Sequence, residues 1–197
     1  YYTSKPHGAG TGLGLPVVVE STFLQLFLKS LGASGFALGM IPFFFFIGTS
    51  VFALLSSYMT EGMVFKRRAV VILHLISAVA LLVFGGCMLF LGRTEDILVL
   101  FFVCYAVFSV CIGMTLPVWL NYLVKIFTEA RSVSALAFMM MAQNAAKLAT
   151  SFFLIKIVER YAFSMRSSAV IFIAVGTLFF TGTLFFYLTR EWRQEDL

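Results

Sequence analysis

Apolar residues run through the chain in long unbroken stretches separated by short polar breaks. Crossing the hydrocarbon core of a bilayer takes about 20 apolar residues as helix. Six stretches meet that length: 10–28, 36–58, 69–91, 97–120, 133–155 and 169–188. The runs are continuous, not alternating, which excludes the strands of about ten residues that build a membrane barrel. Lipid-exposed backbone must satisfy its own hydrogen bonds, and helix does so within one segment. The pattern therefore predicts an all-α integral membrane protein with six transmembrane helices in a single domain over 1–197.

The breaks are short. Leu31-Gly32-Ala33-Ser34-Gly35 predicts a tight turn that uses glycine for backbone freedom. Residues 61–68 and 92–95 link the next pairs, and 121–132 and 156–167 form longer charged links. No soluble domain fits between them. The chain does not open on Met, and its polar end, 189–197, reads as the start of a linker to further helices. It is expected to be part of a longer protein.

Composition agrees with the pattern. The chain is 61% hydrophobic and 12% charged, against about 45–50% and about 25% in soluble domains. Too few charges are present to cover a water-soluble surface. The 24 Phe residues need no binding role, because Phe is favourable against lipid. The net charge of +5 does not point to nucleic acid, because most cations sit at helix ends. With the N-terminus inside, Lys5, Lys66, Arg67, Arg68, Lys125, Arg131, Arg190 and Arg193 are cytoplasmic, and Lys29, Arg93, Lys156, Arg160 and Arg166 lie outside. That excess favours both termini on the cytoplasmic side of the cell inner membrane. Cys87, Cys104 and Cys111 all lie in apolar runs without CxxC spacing and read as small buried hydrophobes.

Two charges interrupt the apolar runs. Glu20 falls inside the first span and Lys147 inside the fifth. Each costs about 2.5–3.5 kcal/mol unpaired at the bilayer centre. Gln143, Asn144, Thr150 and Ser151 share one helical face with Lys147. That stripe reads as the wall of a solute cavity, or as interhelical hydrogen bonding that holds the bundle together. Gln25 lies on a polar face of the first span, with Glu20 beside it. Glu20 either pairs with Lys147 or carries a proton. His74 reads as a satisfied residue near the inner membrane boundary, Trp119 as an interfacial aromatic, and Pro16, Pro42 and Pro117 as candidate kinks. Gly32, Gly35 and Gly39 read as turn or close-packing positions. No HExxH, GxSxG or GxxxxGK[ST] motif is present, so no enzyme activity, metal or cofactor is expected.

Leu26-Phe27-Leu28-Lys29-Ser30-Leu31-Gly32-Ala33-Ser34 resembles the first turn of a group of bacterial major facilitator superfamily transporters. So does Pro117-Val118-Trp119-Leu120-Asn121, running on to Lys125-Ile126-Phe127 and Arg131. The second loop, Met59-Thr60-Glu61-Gly62-Met63-Val64-Phe65-Lys66-Arg67-Arg68, keeps the basic end of the family's G-x-x-x-D-R-x-G-R-R signature but not its aspartate or its glycine spacing. The resemblance implies the N-terminal six-helix half of a twelve-helix transporter, paired with a second half. It implies alternating access to a small solute bound near the midplane, which is compatible with the polar faces read above, so that Glu20, Gln25, Gln143, Asn144, Lys147 and Ser151 are the candidates for solute or coupling, with Tyr105 and Ser109 from the fourth span. It also implies gating at the cytoplasmic loops by Glu61, Lys66, Arg67, Arg68, Asn121 and Arg131. A six-helix scaffold or assembly subunit without transport is the alternative. The partners expected are the lipid bilayer, the solute and the second half.

Overall fold

The computed structural model describes residues 22–63, 65–126 and 164–187, with the separate helical positions 133, 134, 136–138, 140–142, 144, 145, 148, 149, 152 and 156. The described residues are 89% helical and contain no strand. Four helices are long and apolar enough to cross a membrane: Gly35–Thr60, Arg67–Met88, Thr94–Asn121 and Met165–Leu184. They match the second, third, fourth and sixth expected spans. Of the first, the described part is helix α1, Thr22–Ser30, and residues 10–21 lie outside the described residues. The fifth is described only at the separate positions between 133 and 156.

The span Gly35–Thr60 is not one regular helix. It consists of α2 (Gly35–Ile47), a π-helical stretch (Gly48–Phe52) and α3 (Ala53–Thr60). Helix α4 covers Arg67–Met88, α5 covers Thr94–Ile126 and α6 covers Met165–Tyr187. The glycine turn after α1 forms as expected. Gly32 takes φ 78°, the Ala33 N–H donates to the Leu28 carbonyl (3.0 Å) and the Gly32 N–H to that of Lys29 (3.0 Å). That pair of bonds is the Schellman ending, and the residue with positive φ is the one without a Cβ. Ser34 then caps α2, its hydroxyl accepting from the Ala37 N–H at 3.2 Å.

Several helix ends depart from the sequence expectation, α5 and α6 starting early at Thr94 and Met165. Helix α4 stops at Met88, not Leu91, where the Leu89 and Phe90 N–H groups turn to carbonyls three residues back, those of Gly86 and Cys87 (3.1 and 3.0 Å). Helix α5 runs on through Asn121 to Ile126, into the stretch read as a loop. Nothing in Tyr122-Leu123-Val124-Lys125 breaks a helix, since the stretch has neither Gly nor Pro. At 33 residues α5 is about 50 Å long, so it outreaches the hydrocarbon core of about 30 Å.

Helix α4 packs along both α5 and α6, and Gly35–Thr60 rests on α5. Lipid tails are as apolar as Leu, so helices in a membrane gain by close packing more than by leaving the solvent. Glycines set that approach. A Cβ on Gly85 of α4 would lie 2.8 Å from Ile173 and 3.1 Å from the Ala169 carbonyl of α6. One on Gly176 would lie 2.8 Å from Leu82. Between the span and α5 the contact is tighter still. The Gly48 carbonyl fills the place a Gly113 side chain would take, and the Ser109 carbonyl does the same at Gly48. Gly35 and Gly39, read as close-packing candidates, have nothing within 4 Å of a Cβ.

The core between α1, α4, α5 and α6 is aromatic. The Phe27 ring meets Phe172 at 5.3 Å and Phe84 at 6.2 Å, and Phe84 meets Phe172 at 4.7 Å and Phe101 at 5.4 Å, all near edge-to-face. Such pairs contribute about 0.5–1.5 kcal/mol beyond their burial. Phe is therefore not only a lipid-facing residue here, as its abundance suggested. One group, with Phe36, Phe43, Phe46 and Phe90, is exposed, and another, with Phe27, Phe84, Phe101, Phe108, Phe172 and Phe179, is the core.

Gly113→Ala should destabilise the purified protein by about 1–3 kcal/mol, because the added methyl overpacks a backbone crossing. Gly39→Ala, with open space around it, should be neutral or stabilising by up to about 1 kcal/mol. Thermal unfolding in one detergent compares them, and equal behaviour of the two variants would contradict the crossing.

Candidate functional site

Among the residues expected to meet solute, Glu20, Gln143, Lys147 and Ser151, with Thr150, lie outside the described residues. Gln25 sits on the exposed side of α1, whose Phe23, Leu24, Phe27 and Leu28 face the core. Asn144 is likewise exposed. Tyr105 is buried on α5, its ring stacked on Phe101 at 5.4 Å and near Phe108 at 6.2 Å. The described solute candidates are thus split, Tyr105 inside the described packing and Gln25 and Asn144 outside it.

The loop candidates gather by topology. The end of α3, the start of α4 and the end of α5 lie on one side of the bundle, which puts Glu61, Lys66, Arg67, Arg68 and Asn121 at one level. Glu61, Arg68 and Asn121 are exposed, Arg67 is half-buried and Lys66 is buried. Beneath them Val70, Val71 and Val118 form a small core with Trp119 packed against it. Trp119 therefore seals a helix junction there. Arg131 lies outside the described residues. The ion pair of Arg93 with Glu95 (3.6 Å) belongs to the opposite end and is fully solvated, so it adds little.

Most polar groups within the described spans bond to their own helix. His74 places Nδ1 2.9 Å from the Val70 carbonyl and stacks on Phe179 of α6, in keeping with a satisfied histidine. Ser77, Thr115 and Thr183 donate to Leu73, Cys111 and Phe179 at 3.0, 2.7 and 2.7 Å. Ser56 instead donates across to α5, reaching the Met114 carbonyl at 2.6 Å. Cys104 and Cys111 are buried and Cys87 half-buried, and all three are free thiols. Among the described residues no three His, Cys, Asp or Glu come together as metal ligands.

Tyr105 and Ser109 differ from these. They lie one turn apart on α5, fully buried, and neither hydroxyl completes a hydrogen bond of ordinary geometry. A buried hydroxyl without a partner costs about 1–3 kcal/mol. Tyr105 also lines a cavity with Leu81, Phe84, Phe101, Cys104 and Phe172 of about 10 Å³, room for about one water. No solute of transporter size fits there. Ser109 instead abuts Gly48, where α5 meets the π-helical stretch.

That crossing joins a helix that carries a π stretch to one with a proline inside it, and sequence reading found only part of it. Pro117 has no N–H to offer the Gly113 carbonyl four residues before it. The π stretch begins at Gly48, which seats on Gly113. The prolines were visible as candidate kinks. Gly48, Gly113, Ser56 and the π stretch were not singled out, because a glycine within an apolar run carries no sign of the partner it will meet. Compared with protein-family models, curated proteins and solved structures, the chain matches none.

Tyr105→Phe should leave the protein as stable or slightly more so, since it deletes an unpaired buried hydroxyl without opening a cavity. Chemical denaturation of the two forms in one detergent measures this. A loss above about 1 kcal/mol would show that the hydroxyl has a partner.

Proposed function

We propose that this chain is one half of a secondary transporter of small solutes, working by alternating access. In this reading six spans make the half, with 10–28 and 133–155 completing the four described ones. A second half of major facilitator type lies across the solute path, and both termini face the cytoplasm of the inner membrane. The observation that carries the reading is the meeting of two irregular spans, one with Pro42 and a π stretch and one with Pro117 inside it, at a backbone contact. Gly- and Pro-interrupted spans are where transporters place solute sites and moving parts. The polar stripe of Lys147, Gln143, Asn144 and Ser151 supplies the chemistry for solute, with Glu20 as counter-charge or proton carrier. Substrate class stays at this level, because a fold hosts many functions.

One observation favours a second reading. The core of α1, α4, α5 and α6 is filled by aromatic rings around a cavity of about 10 Å³, as suits a six-helix scaffold or assembly subunit.

The natural protein carrying this sequence, purified and reconstituted in liposomes with trapped pyranine, separates the two. A panel of sugars, amino acids and amphipathic cations should include a solute that moves protons or is itself taken up under a pH gradient. Lys147→Ala should lower that flux at least about tenfold while leaving thermal stability unchanged, the loss of about 1.4 kcal/mol of binding or coupling. A panel without any flux above empty liposomes supports the scaffold. Flux unchanged by Lys147→Ala removes the stripe from the path.

A further inference from the structure

We propose that Gly48–Phe52 is a two-state joint, converting between the π turn seen here and a regular α turn, and that the conversion turns the half-span Gly35–Ile47 relative to α5. The inference goes beyond the transport reading, since it concerns the shape of one span and holds whether or not solute crosses. A π turn accommodates one residue more than an α turn. Closing it shifts the register on one side by about 100° of rotation and about 1.5 Å along the axis.

The two sides of the joint are held very differently. On the far side, the Ser56 hydroxyl bonds the Met114 carbonyl of α5 at 2.6 Å, and both Ser56 and Thr60 are buried. At the joint, the Gly48 carbonyl is seated on Gly113 of α5. On the near side, Ile41 is the buried residue of α2, while Phe36, Phe43 and Phe46 are 80%, 52% and 66% exposed. Pro42 withholds the N–H that the Leu38 carbonyl would otherwise receive, and Gly39 has open space around it. Leu38, Phe44 and Phe45 pack against the edge of the core, and the Phe44 ring lies 6.3 Å from that of Phe102 on α5, so the near half turns by exchanging these apolar contacts while the Ser56 bond keeps the far half docked.

The joint carries its own spare hydrogen-bonding groups. The Gly48 N–H is shared between the Phe44 and Phe45 carbonyls. The Thr49 hydroxyl reaches the Phe45 carbonyl at 2.9 Å and that of Phe46 at 3.4 Å. These bonds tie Thr49 to the last turn of α2 in the state seen here, so their loss weakens that state. Ser109 faces the same place from α5, with its Cβ 3.2 Å from where a Gly48 side chain would begin, and its buried hydroxyl has only a loose contact with the Tyr105 hydroxyl, short of ordinary hydrogen-bond geometry. A buried donor without an acceptor is costly. Conversion re-aims the carbonyls beside Ser109 and gives that hydroxyl an acceptor in the second state.

The test uses pulsed electron-spin distance measurement in lipid nanodiscs. Spin labels go at Phe36→Cys and Phe90→Cys, both highly exposed and on the same side of the bundle, in a background of Cys87→Ala, Cys104→Ala and Cys111→Ala. The parent should show two distance populations separated by up to about 8 Å, the chord of a 100° turn at the outer radius of a helix. Deletion of Ser50 removes the extra residue and should leave one population. Thr49→Val should keep both and shift their ratio at least about threefold toward the α state. A single population in the parent overturns the proposal, and so does a ratio that Thr49→Val leaves unchanged. If the deletion fails to fold, the Thr49→Val ratio decides alone.

Discussion

Everything in the described bundle is arranged around a contact between two backbones, where Gly48 of one span presses on Gly113 of another. Such an approach is open only to residues without a side chain, and within a membrane it matters more than it would in water. Apolar side chains gain nothing by leaving lipid for protein, so association depends on dispersion contacts made at short range and on polar groups reaching across. The crossing brings both together. Backbone meets backbone at Gly48, Ser109 and Gly113, and two turns further along the Ser56 hydroxyl ties the span to the Met114 carbonyl. The glycines Gly85 and Gly176 repeat the first half of that solution between α4 and α6.

With the spans held by backbone contacts, the space left between α1, α4, α5 and α6 is filled by rings. Phe27, Phe84, Phe101 and Phe172 come from four different helices and meet mostly edge to face. A cluster of this kind fixes the relative positions of four helices at once, because moving one ring disturbs three pairs. The span Gly35–Thr60 reaches its edge only through Ile41, Leu38, Phe44 and Phe45. Its most apolar window is 11% buried, against 44–50% for the other three spans. Among the described residues, that span is held to the rest mainly through α5, at the Gly48–Gly113 contact and the Ser56 bond.

The helical class was legible in the sequence because hydrocarbon thickness imposes a length on every span, and 36–58, 69–91, 97–120 and 169–188 all carry it. Their ends were less so. Helix α5 runs on to Ile126 because polar residues such as Asn121 and Lys125 are compatible with helix beyond the membrane, which a hydropathy boundary does not register. Glycine roles were the least legible. Gly32 stood out by its turn context, whereas Gly39 and Gly48 look alike in sequence, and only one of them meets another backbone. The division of Phe between core and lipid was hidden for a similar reason, since both environments are equally apolar.

The fate of the polar side chains constrains where any solute chemistry can reside. In the described spans, Thr49, Thr60, His74, Ser77, Thr115, Thr177, Thr181 and Thr183 bond carbonyls three or four residues back on their own helices. A hydroxyl so engaged has its donor committed and stabilises the turn it sits on, leaving little to offer a passing molecule. Cavity size adds a second limit, since the space beside Tyr105 holds about one water. Among the described residues, the inward-facing hydroxyls are thus largely spent on their own helices. The orphaned Ser109 hydroxyl stands apart from them. It is buried against the crossing itself, where a missing partner bears on the shape of the Gly35–Thr60 span, not on recognition.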